Sequence, residues 1–544
     1  MFLTVVVLLP LAVAGLLLAA PRLSGRAVSR IWVAAAGVDL ALIGWMWWRY
    51  EPGEGASGVV GGIAYEVDVR WIPTVDAGYH IGVDGLSLPL LALTGVLFLA
   101  CAVWSLRQED RPRSFAALFL FLQTACLGTF AALDLILFFV FFDLTIVGMY
   151  FIIAGWGHGD ARRSALKFFL YTFVGSLALL VGFIGLFLGG EERTFDMVAL
   201  AQDPPLADSP VAGGLVLLAI GLGLAVKTPL FPFHTWLPDA HTDAPAPGSA
   251  ILAGVLLKLG TYGFVRIAMP ILPEAWQRWA VVIVVLGVVS VLWGAFVALA
   301  QTDVKRMIAY TSVNHMGYVL LGLGAAGLVA SADEGARTVA TVGAVYQMIS
   351  HGLLTGALFL LSGVLWSRGR TYDFGRWSGL ARPAPVFAAS LAVAAFGSLG
   401  LPGLSGFIAE FQVFAGALPA APVATVLAVV GILVTAGLFL VALQRLLTGP
   451  LRVPADQETS GAATDAGPGS GTVRQPGIGE PDAVTATLER PETESRGRFS
   501  DMSGRELAAV VPLLALSVLL GLLPRPLLDV VEPAAAAIAQ LVAR

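Results

Sequence analysis

The stretch GLGLAVKTPLFPFHTWLPDAH, residues 221–241, contains the features that decide how this chain folds. An apolar run leads into a single lysine, Lys227, and the prolines Pro229 and Pro232 follow closely. Because proline removes a backbone donor and disrupts a helix, we predict a membrane-spanning helix that breaks beside a charge. A bilayer tolerates such a break only where protein or water satisfies the freed backbone groups.

The composition around this stretch is that of a membrane protein. Hydrophobic residues make up 57% of the 544 residues and charged residues only 13%, which lies outside the usual range of soluble domains. Apolar runs of about 20 residues, the length that crosses a bilayer as a helix, recur along the whole chain. Their uniform apolarity excludes the alternating strands of a membrane barrel.

We count about 14 such runs and number them as transmembrane spans 1 to 14. The predicted fold class is therefore an all-α integral membrane protein. The spans lie near residues 2–20, 31–49, 86–105, 114–132, 134–155, 167–189, 211–230, 246–268, 276–299, 306–330, 338–366, 384–408, 420–447 and 506–524.

Two spans are predicted to be broken helices. Span 7 breaks beside Lys227, and span 12 breaks where Gly400, Pro402 and Gly403 precede Glu410. Broken helices in corresponding positions of two halves are typical of transporters with inverted repeats. We therefore predict two inverted five-helix repeats, spans 4–8 and 9–13. The predicted segments are 1–113 (spans 1–3 and an outer loop), 114–270 and 271–448 (the two repeats), 449–505 (a linker) and 506–544 (span 14 and a tail).

The linker differs in composition from the rest of the chain. Residues 449–505 are rich in Gly, Thr, Pro, Asp and Glu, and such a segment cannot bury enough apolar surface to fold alone. A flexible cytoplasmic linker is predicted there. Residues 526–543 fit either a short amphipathic tail or a frayed end. The first span has no Lys or Arg before it, so we interpret it as a transmembrane helix and not as a cleaved signal peptide.

Basic residues predict the orientation, because short loops rich in Lys and Arg stay in the cytoplasm. They follow spans 1, 3, 5, 9 and 11, whereas the intervening loops carry acids. Both termini are therefore predicted on the outer side of a bacterial plasma membrane. The basic residues are Arg22, Arg26, Arg30, Arg107, Arg111, Arg113, Arg162, Arg163, Lys167, Lys305, Arg306, Arg368, Arg370, Arg376 and Arg382.

Four ionisable residues lie in mid-span, namely Asp143, Lys227, Lys258 and Glu410. Each costs roughly 2.5–3.5 kcal/mol at the bilayer centre, and the four together cost on the order of 12 kcal/mol. Structural ion pairs or a proton path would explain such a cost. We favour the path for Lys258, which lies too far from its span ends to snorkel. Two basic residues near span ends are expected to snorkel instead, Lys167 and Arg266.

Two histidines lie inside spans 10 and 11, His315 and His351. A buried histidine is commonly only a packed core residue. Imidazole, however, titrates near neutrality and can pass a proton through either nitrogen. Because these two lie in the spans between a mid-membrane lysine and a mid-membrane glutamate, we interpret them as part of a proton relay.

Other motifs give no further chemistry. Cys101 and Cys126 lie in apolar spans without ligand-like spacing, so neither an iron–sulfur cluster nor a disulfide is predicted. GLGLAVKT has Val226 where a phosphate-binding loop needs its second glycine. One cytoplasmic connection carries a group that matches no zinc signature and is assigned to capping or loop hydrogen bonds: His234, Asp239, His241 and Asp243. No metal, cofactor or nucleic acid is expected.

Three stretches resemble the proton-conducting antiporter-like subunits of respiratory complex I, at residues 226–263, 303–322 and 165–172. Mrp-type sodium/proton antiporter subunits and membrane-bound hydrogenases share these motifs. Glu410, where most relatives have lysine, resembles subunit M of complex I. So does the segment YHIGVDGLSLPLLALT, residues 79–94. The long lateral helix of subunit L is not expected after span 14.

The resemblance implies roles for the residues already singled out. Asp143, Lys227, Lys258 and Glu410 would be central-axis charges, and two residues would link the halves, His315 and His351. It implies no redox centre, flavin, NADH site or quinone site in this chain, so the energy would come from partner subunits. Asp143 departs from the family, which has a glutamate there, and its shorter reach puts the geometry of its predicted pair with Lys227 in question.

The expected function is that of a proton-translocating membrane-arm subunit of NADH:quinone oxidoreductase. Its expected partners are the other membrane-arm subunits, especially neighbouring antiporter-like subunits, and the lipid bilayer. Two alternatives stay open, an Mrp-type sodium/proton antiporter subunit and a non-pumping structural spacer. The mid-span charges argue against a spacer, because a spacer could be apolar throughout.

Overall fold

The computed structural model describes residues 1–52, 62–454 and 499–543, and most of these residues are helical. In chain order the helices are α1 (Phe2–Ala19), α2 (Gly25–Trp48), α3 (Ser87–Trp104), α4 (Pro112–Ala131), α5 (Leu135–Trp156), α6 (Ala161–Gly189), α7 (Met197–Gln202), α8 (Pro210–Lys227), α9 (Leu237–Asp243), α10 (Ala246–Ile251), α11 (Leu257–Gly263), α12 (Met269–Ile271), α13 (Pro273–Leu299), α14 (Val304–Ala326), α15 (Glu334–Gly369), α16 (Pro385–Ser398), α17 (Ser405–Ala417), α18 (Pro422–Leu447), α19 (Gly504–Leu522) and α20 (Arg525–Ala543). Two strands, β1 (Ala64–Ile72) and β2 (Ala77–Val83), form the one sheet of the described residues.

Thirteen helices of the described part are long and apolar enough to cross a membrane, which confirms the predicted membrane class. They include α20, so residues 525–543 form a full helix and not a frayed end. They do not include α14, whose polar side chains lower its apolar character although nearly all of it is buried in protein. The purely helical prediction missed the sheet. Of the predicted linker, residues 455–498 lie outside the described residues.

Both predicted helix breaks are present. In span 7, α8 ends at Lys227 and α9 begins at Leu237, with irregular backbone between them. In span 12, α16 and α17 are separated by a turn in which Gly400 and Gly403 have φ of +78° and +94°. Only glycine adopts such angles at low cost, and this explains why the break falls there.

Span 8 is a continuous helix in which α-helical and π-helical segments alternate. Two π-helical segments, Leu252–Leu256 and Phe264–Ala268, connect α10 to α11 and α11 to α12. Residues 247–271 of this span are all buried. Lys258 therefore stands in a short α-helical stretch with a π segment on either side, a distortion that frequently accompanies functional sites.

The loops that carry the basic residues meet on one face of the molecule, which we call the basic face. The His158 N–H donates to the Asp243 carbonyl at 2.8 Å and the Val304 N–H to the Tyr372 carbonyl at 2.9 Å. The first bond joins the α5–α6 loop to the end of α9. The second joins the start of α14 to the loop after α15. The hairpin and the loop before α7 lie on the opposite face.

The His80 imidazole helps to hold the hairpin against the helices, together with a hydrogen bond from the Gly78 N–H to Asp134 Oδ2. β1 and β2 are antiparallel, and His80 on β2 lies between two carboxylates. Its Nδ1 is 2.5 Å from Asp196 Oδ2 and its Nε2 is 2.8 Å from Glu66 Oε1. Asp196 also caps α7 by accepting from the Ala199 N–H. His80 thus holds strand β1 and the start of α7 together.

Two opposing effects set the pKa of His80. Burial lowers it, but the hydrogen bonds and charges of Asp196 and Glu66 outweigh burial and raise the pKa from 6.5 to about 9. The ring is therefore an imidazolium at neutral pH, and it contributes to stability as a cation between two anions.

We predict that His80→Gln lowers the free energy of unfolding by roughly 2–3 kcal/mol near neutral pH, allowing for screening of the partly exposed carboxylates. The folded-state pKa is the higher one, so this stabilisation is fully present below about pH 6.5 and is lost as pH rises through about 9. A thiol-reactive dye reports thermal unfolding of the detergent-solubilised chain, since Cys101 and Cys126 are buried. An equal difference between parent and variant at pH 7 and pH 10 would mean that packing, not charge, is lost.

Candidate functional site

Four buried ionisable side chains form a continuous line through the interior. Lys258 Nζ is 2.6 Å from His351 Nδ1. The rings of His351 and His315 have centroids 5.3 Å apart, and His315 Nδ1 is 3.6 Å from Glu410 Oε1. None of the four residues is more than 4% exposed. The structure thus brings together four of the six residues that the sequence predicted.

Four different helices supply this line, so that it crosses the boundary between the two predicted repeats. Lys258 lies on α11, and Glu410 lies on α17 beyond the second break. The histidines lie on α14 and α15, which are almost wholly buried.

The hydrogen bond from Lys258 fixes the state of His351. An ammonium group only donates, so Nδ1 of His351 accepts and the ring proton lies on Nε2. That Nε2, like Nε2 of His315, is buried and has no hydrogen-bond partner within the described residues. Each ring therefore has one satisfied nitrogen and one that is available to receive or release a proton.

Gln347 controls what His315 presents to Glu410. Gln347 Nε2 lies 3.1 Å from the same Nδ1 atom that faces the carboxylate. The orientation of a glutamine amide follows from its partners, and here Oε1 has none in the described residues. If the nitrogen faces the ring, Nδ1 accepts and a hydrogen bond to Glu410 requires a protonated carboxyl. If the amide is reversed, Nδ1 donates.

Glu410 reaches back into the break of span 12. A Cβ atom built on Gly400 would lie only 2.4 Å from Glu410 Oε2. The glycine therefore serves two purposes, since it permits the positive φ of the turn and leaves room for the carboxylate. The same glycine therefore determines both the shape of the turn and the position of the Glu410 carboxylate.

Lys227 occupies the corresponding place at the first break. It is the last residue of α8 and is 1% exposed. Its Nζ donates to Thr145 Oγ1 at 2.7 Å and lies 4.6 Å from the centroid of the Phe142 ring. A hydroxyl and an aromatic face thus solvate the ammonium group.

Asp143 does not form the predicted direct pair with Lys227. Among the described side chains, no ion pair within 4.0 Å includes Asp143. The residue is only half-buried, and its Oδ1 is buried without a hydrogen-bond partner there. The hydroxyl of Thr145, two residues further along α5, takes the contact instead. The shorter aspartate does not reach the lysine.

The first break packs against span 8 at Thr228 and Gly260. A Cβ atom on Gly260 would lie 2.3 Å from Thr228 Oγ1, so the bare glycine lets α11 contact the end of α8 directly. Thr228 Oγ1 is buried and has no partner within the described chain. Thr228 directly follows Lys227 in the chain, and Gly260 is two residues after Lys258.

The sequence analysis did not predict two buried basic residues, His241 and Lys305, as site residues. His241 is fully buried, stacks on Phe359 at 4.4 Å, and has no partner for either ring nitrogen in the described part. Its assignment to loop hydrogen bonding was therefore wrong. Lys305 is also fully buried and donates to the Ala244 carbonyl at 2.5 Å. The break after Lys227 was the available signal, because it implies a second half-helix, and α9 carries His241.

The remaining candidates are structural. Asp239 pairs with Lys167 at 2.7 Å and with Arg306 at 3.2 Å, and Asp243 accepts from Ser164. The described residues contain no group of three or more His, Cys, Asp or Glu that could hold a metal ion. Arg266 was expected to snorkel, and that prediction was wrong: it is buried, with a 2.5 Å ion pair to a buried carboxylate, Asp84.

Known proteins of one family are similar to this chain in sequence and in fold. Residues 132–435 match the family described as NADH:quinone oxidoreductase/Mrp antiporter, TM. The chain is 40% identical over 366 residues to NADH-quinone oxidoreductase subunit M of Rickettsia conorii, covering 67% of this chain and 71% of that protein. It is 38% identical over 458 residues to NAD(P)H-quinone oxidoreductase chain 4 2 of Thermosynechococcus vestitus, covering 82% of each.

Solved structures agree with these relatives. A chain of respiratory complex I from Thermus thermophilus with bound NADH superimposes with a TM-score of 0.81 at 28% identity, covering 100% of both chains. A chain of the Mrp complex from Dietzia sp. DQ12-45-1b gives 0.80 at 23% identity, covering 100% of both, and at that identity shows the fold alone. The chain therefore belongs to the NADH:quinone oxidoreductase/Mrp antiporter transmembrane family, and within it to the subunit M type.

Proposed function

We propose that this chain is a proton-translocating membrane-arm subunit of an NADH:quinone oxidoreductase, and that Lys258, His351, His315 and Glu410 carry the proton between its two halves. The observation that supports this most strongly is the unbroken line of buried contacts from Lys258 to Glu410. A purely structural subunit would not need four connected ionisable groups in mid-membrane, because burying each of them there costs free energy.

The chemistry is a series of proton shifts without any change in covalent framework. The Lys258 ammonium gives a proton to Nδ1 of His351 and becomes an amine. The ring releases its other proton from Nε2 toward His315, and His315 delivers one from Nδ1 to the Glu410 carboxylate. Each acceptor takes one proton and each donor loses one, so the net result is transfer of one positive charge.

Lys227 and Asp143 would govern the first half of the path. Lys227 ends α8 where the break frees backbone groups, and the buried hydroxyl of the next residue, Thr228, lies beside Gly260 of span 8. Asp143 forms no ion pair with Lys227 within 4.0 Å in the described residues, so we assign it a longer-range or water-mediated effect on the Lys227 ammonium. An anion nearby favours the charged amine, and neutralising it favours proton release.

The energy would come from partner subunits that carry out electron transfer, as the names of the relatives indicate. Asp143 supports a protein neighbour in the membrane, because a half-buried carboxylate in mid-span is costly against lipid. We propose that a neighbouring antiporter-like subunit covers this part of α5. Residues 114–270 and 271–448 would be the two inverted repeats. The basic face would be cytoplasmic, with both termini outside a bacterial plasma membrane.

The alternatives account for fewer observations. A structural spacer would not need the buried line. A sodium/proton antiporter subunit shares the fold, but the more similar relatives are quinone oxidoreductase subunits.

We predict that Lys258→Arg lowers NADH-driven proton uptake by inverted membrane vesicles at least tenfold while the complex still assembles. Arginine keeps the charge but does not release its proton in this range, so the relay stops at its first step. Lys167→Arg on the basic face is the matched control and should keep uptake near the parent value, since its partner is the partly exposed Asp239. Uptake at the parent rate in Lys258→Arg would show that Lys258 does not act by releasing its proton.

Gly400→Ala should lower uptake severalfold, because the new methyl group would displace the Glu410 carboxylate. Gly403→Ala separates this effect from backbone strain. Both glycines have positive φ, but the nearest atom to a Cβ at Gly403 is a Leu522 methyl at 3.8 Å. Equal losses in the two variants, measured in vesicles with matched amounts of assembled complex, would assign the effect to the turn and not to Glu410.

Asp143→Asn should lower uptake at least fivefold with the complex assembled, because it removes the negative charge that acts on Lys227. Asp143→Glu should keep most of the activity, since it restores the charge with a longer reach. Proton uptake and NADH:quinone electron transfer are measured in the same vesicles. If the Asn variant pumps as well as the parent, this carboxylate is only a packing group.

A further inference from the structure

Three buried serine hydroxyls, which we call the serine cluster, are hydrogen-bonded in a row beside the break of span 12. Ser405 Oγ lies 2.7 Å from Ser350 Oγ and 2.7 Å from Ser517 Oγ. None of the three residues is more than 1% exposed. A hydroxyl can both donate and accept, so Ser405 can bond both neighbours at once. The cluster joins three helices, because Ser350 lies on α15, Ser405 on α17 and Ser517 on α19.

Helix α17 needs such lateral support at its start. It follows a turn with two glycines of positive φ, Gly400 and Gly403, and its N-cap residue Leu404 makes no side-chain capping bond. Neither a rigid connection nor a cap therefore fixes where this half-helix begins. Ser405 is its first residue, and Glu410 follows on the same helix. The contacts that hold Ser405 therefore also set the position of the Glu410 carboxylate.

Helix α19 packs against the break through more than this one contact. A Cβ atom on Gly521 would collide with the backbone of Gly403 and Leu404, so the bare glycine lets α19 lie directly on the turn. The Tyr346 hydroxyl donates to the Leu520 carbonyl at 2.7 Å, which joins α15 to the same end of α19. Helix α19 thus forms one wall of the break, although it belongs to neither of the two predicted repeats.

The separation of His315 and Glu410 makes the position of α17 important. His315 Nδ1 and Glu410 Oε1 are 3.6 Å apart, which exceeds the length of a hydrogen bond by roughly 0.5 Å. A small displacement of α17 therefore decides whether these two groups meet. Ser350 directly precedes His351 on α15. The serine cluster thus ties the helix that carries Glu410 to the helix that carries His351.

We propose that Ser405, Ser350 and Ser517 are positioning residues of the proton relay, and that α19 supports the relay through them. The inference rests on the proposed function, since it concerns the geometry of the same relay. The hydroxyls hold the start of α17 between α15 and α19, where the Glu410 carboxylate faces His315. The proton itself still passes from His315 to Glu410. Without the serine cluster, α17 moves away from α15 and this step becomes slow.

The test measures NADH-driven proton uptake by inverted membrane vesicles with matched amounts of assembled complex. Ser405→Ala removes both bonds of the cluster, and we expect uptake to fall at least threefold. Ser517→Ala removes one bond and should lower uptake by less. Alanine favours a helix more than serine does, so these variants keep their helices.

Ser362→Ala is the matched control. Ser362 is also buried on α15, but its hydroxyl donates to the Phe359 carbonyl of its own helix at 2.7 Å. It therefore joins no second helix, and uptake in this variant should stay at the parent rate.

Two further variants separate hydrogen bonding from packing. Ser517→Cys fills nearly the same space and keeps a weak donor and acceptor, so it should regain part of the uptake that Ser517→Ala loses. Ser405→Ala combined with Ser517→Ala should pump no worse than Ser405→Ala alone, since Ser517 acts through Ser405. Three results would each overturn the positioning role: parent-rate uptake in Ser405→Ala, losses that multiply in the double variant, or a cysteine variant no better than the alanine one.

Glu410→Gln is measured in parallel to separate this inference from the proposed function. Normal uptake in Glu410→Gln would remove the proposed relay and the positioning role with it. If Glu410→Gln loses uptake while Ser405→Ala pumps at the parent rate, the relay stands and only the role of the serine cluster is wrong.

Discussion

The bilayer offers no hydrogen bonds and little screening, so every ionisable side chain inside these helices must be satisfied by the protein itself. Some are held by a direct ion pair. Arg266 is paired with Asp84 and bonded to the Tyr262 hydroxyl. The groups on the line from Lys258 to Glu410 are satisfied only in part, since each histidine keeps one unbonded nitrogen. A direct ion pair fixes two charges in place, whereas an unbonded ring nitrogen leaves a position for a proton.

The two helix breaks meet this constraint in different ways. Lys227 immediately precedes its break, and its ammonium group uses a hydroxyl and an aromatic ring on α5. Glu410 follows its break and folds its carboxylate back against a glycine of the turn. In both spans the charged residue lies next to the helix break. Lys227 precedes its break along the chain, whereas Glu410 follows its break.

Apolar runs and the positions of proline and glycine predicted the spans and both breaks, because each has a local signature. The line from Lys258 to Glu410 could be inferred only as an order of helices, and its distances depend on how four helices pack. The direct Asp143–Lys227 pair failed because a side chain one methylene shorter does not cross the gap, and Thr145 takes its place. His241 was misread because polar residues after a break look like a loop, when α9 is a half-helix inside the protein. The hairpin was missed because its stabilising contacts come from Asp196, far along the sequence.

The contact between His80 and Asp196 also has a consequence for biosynthesis. The two residues are 116 positions apart, whereas His80 and Glu66 are 14 apart. At translation rates of about 5–20 residues per second, Asp196 is synthesised roughly 6–23 s after His80. During that interval the imidazole has only its local carboxylate, and the strand pair has only the earlier helices to pack on. Fastening of the hairpin to α7 is therefore a late event of membrane insertion, which follows the synthesis of α4, α5 and α6.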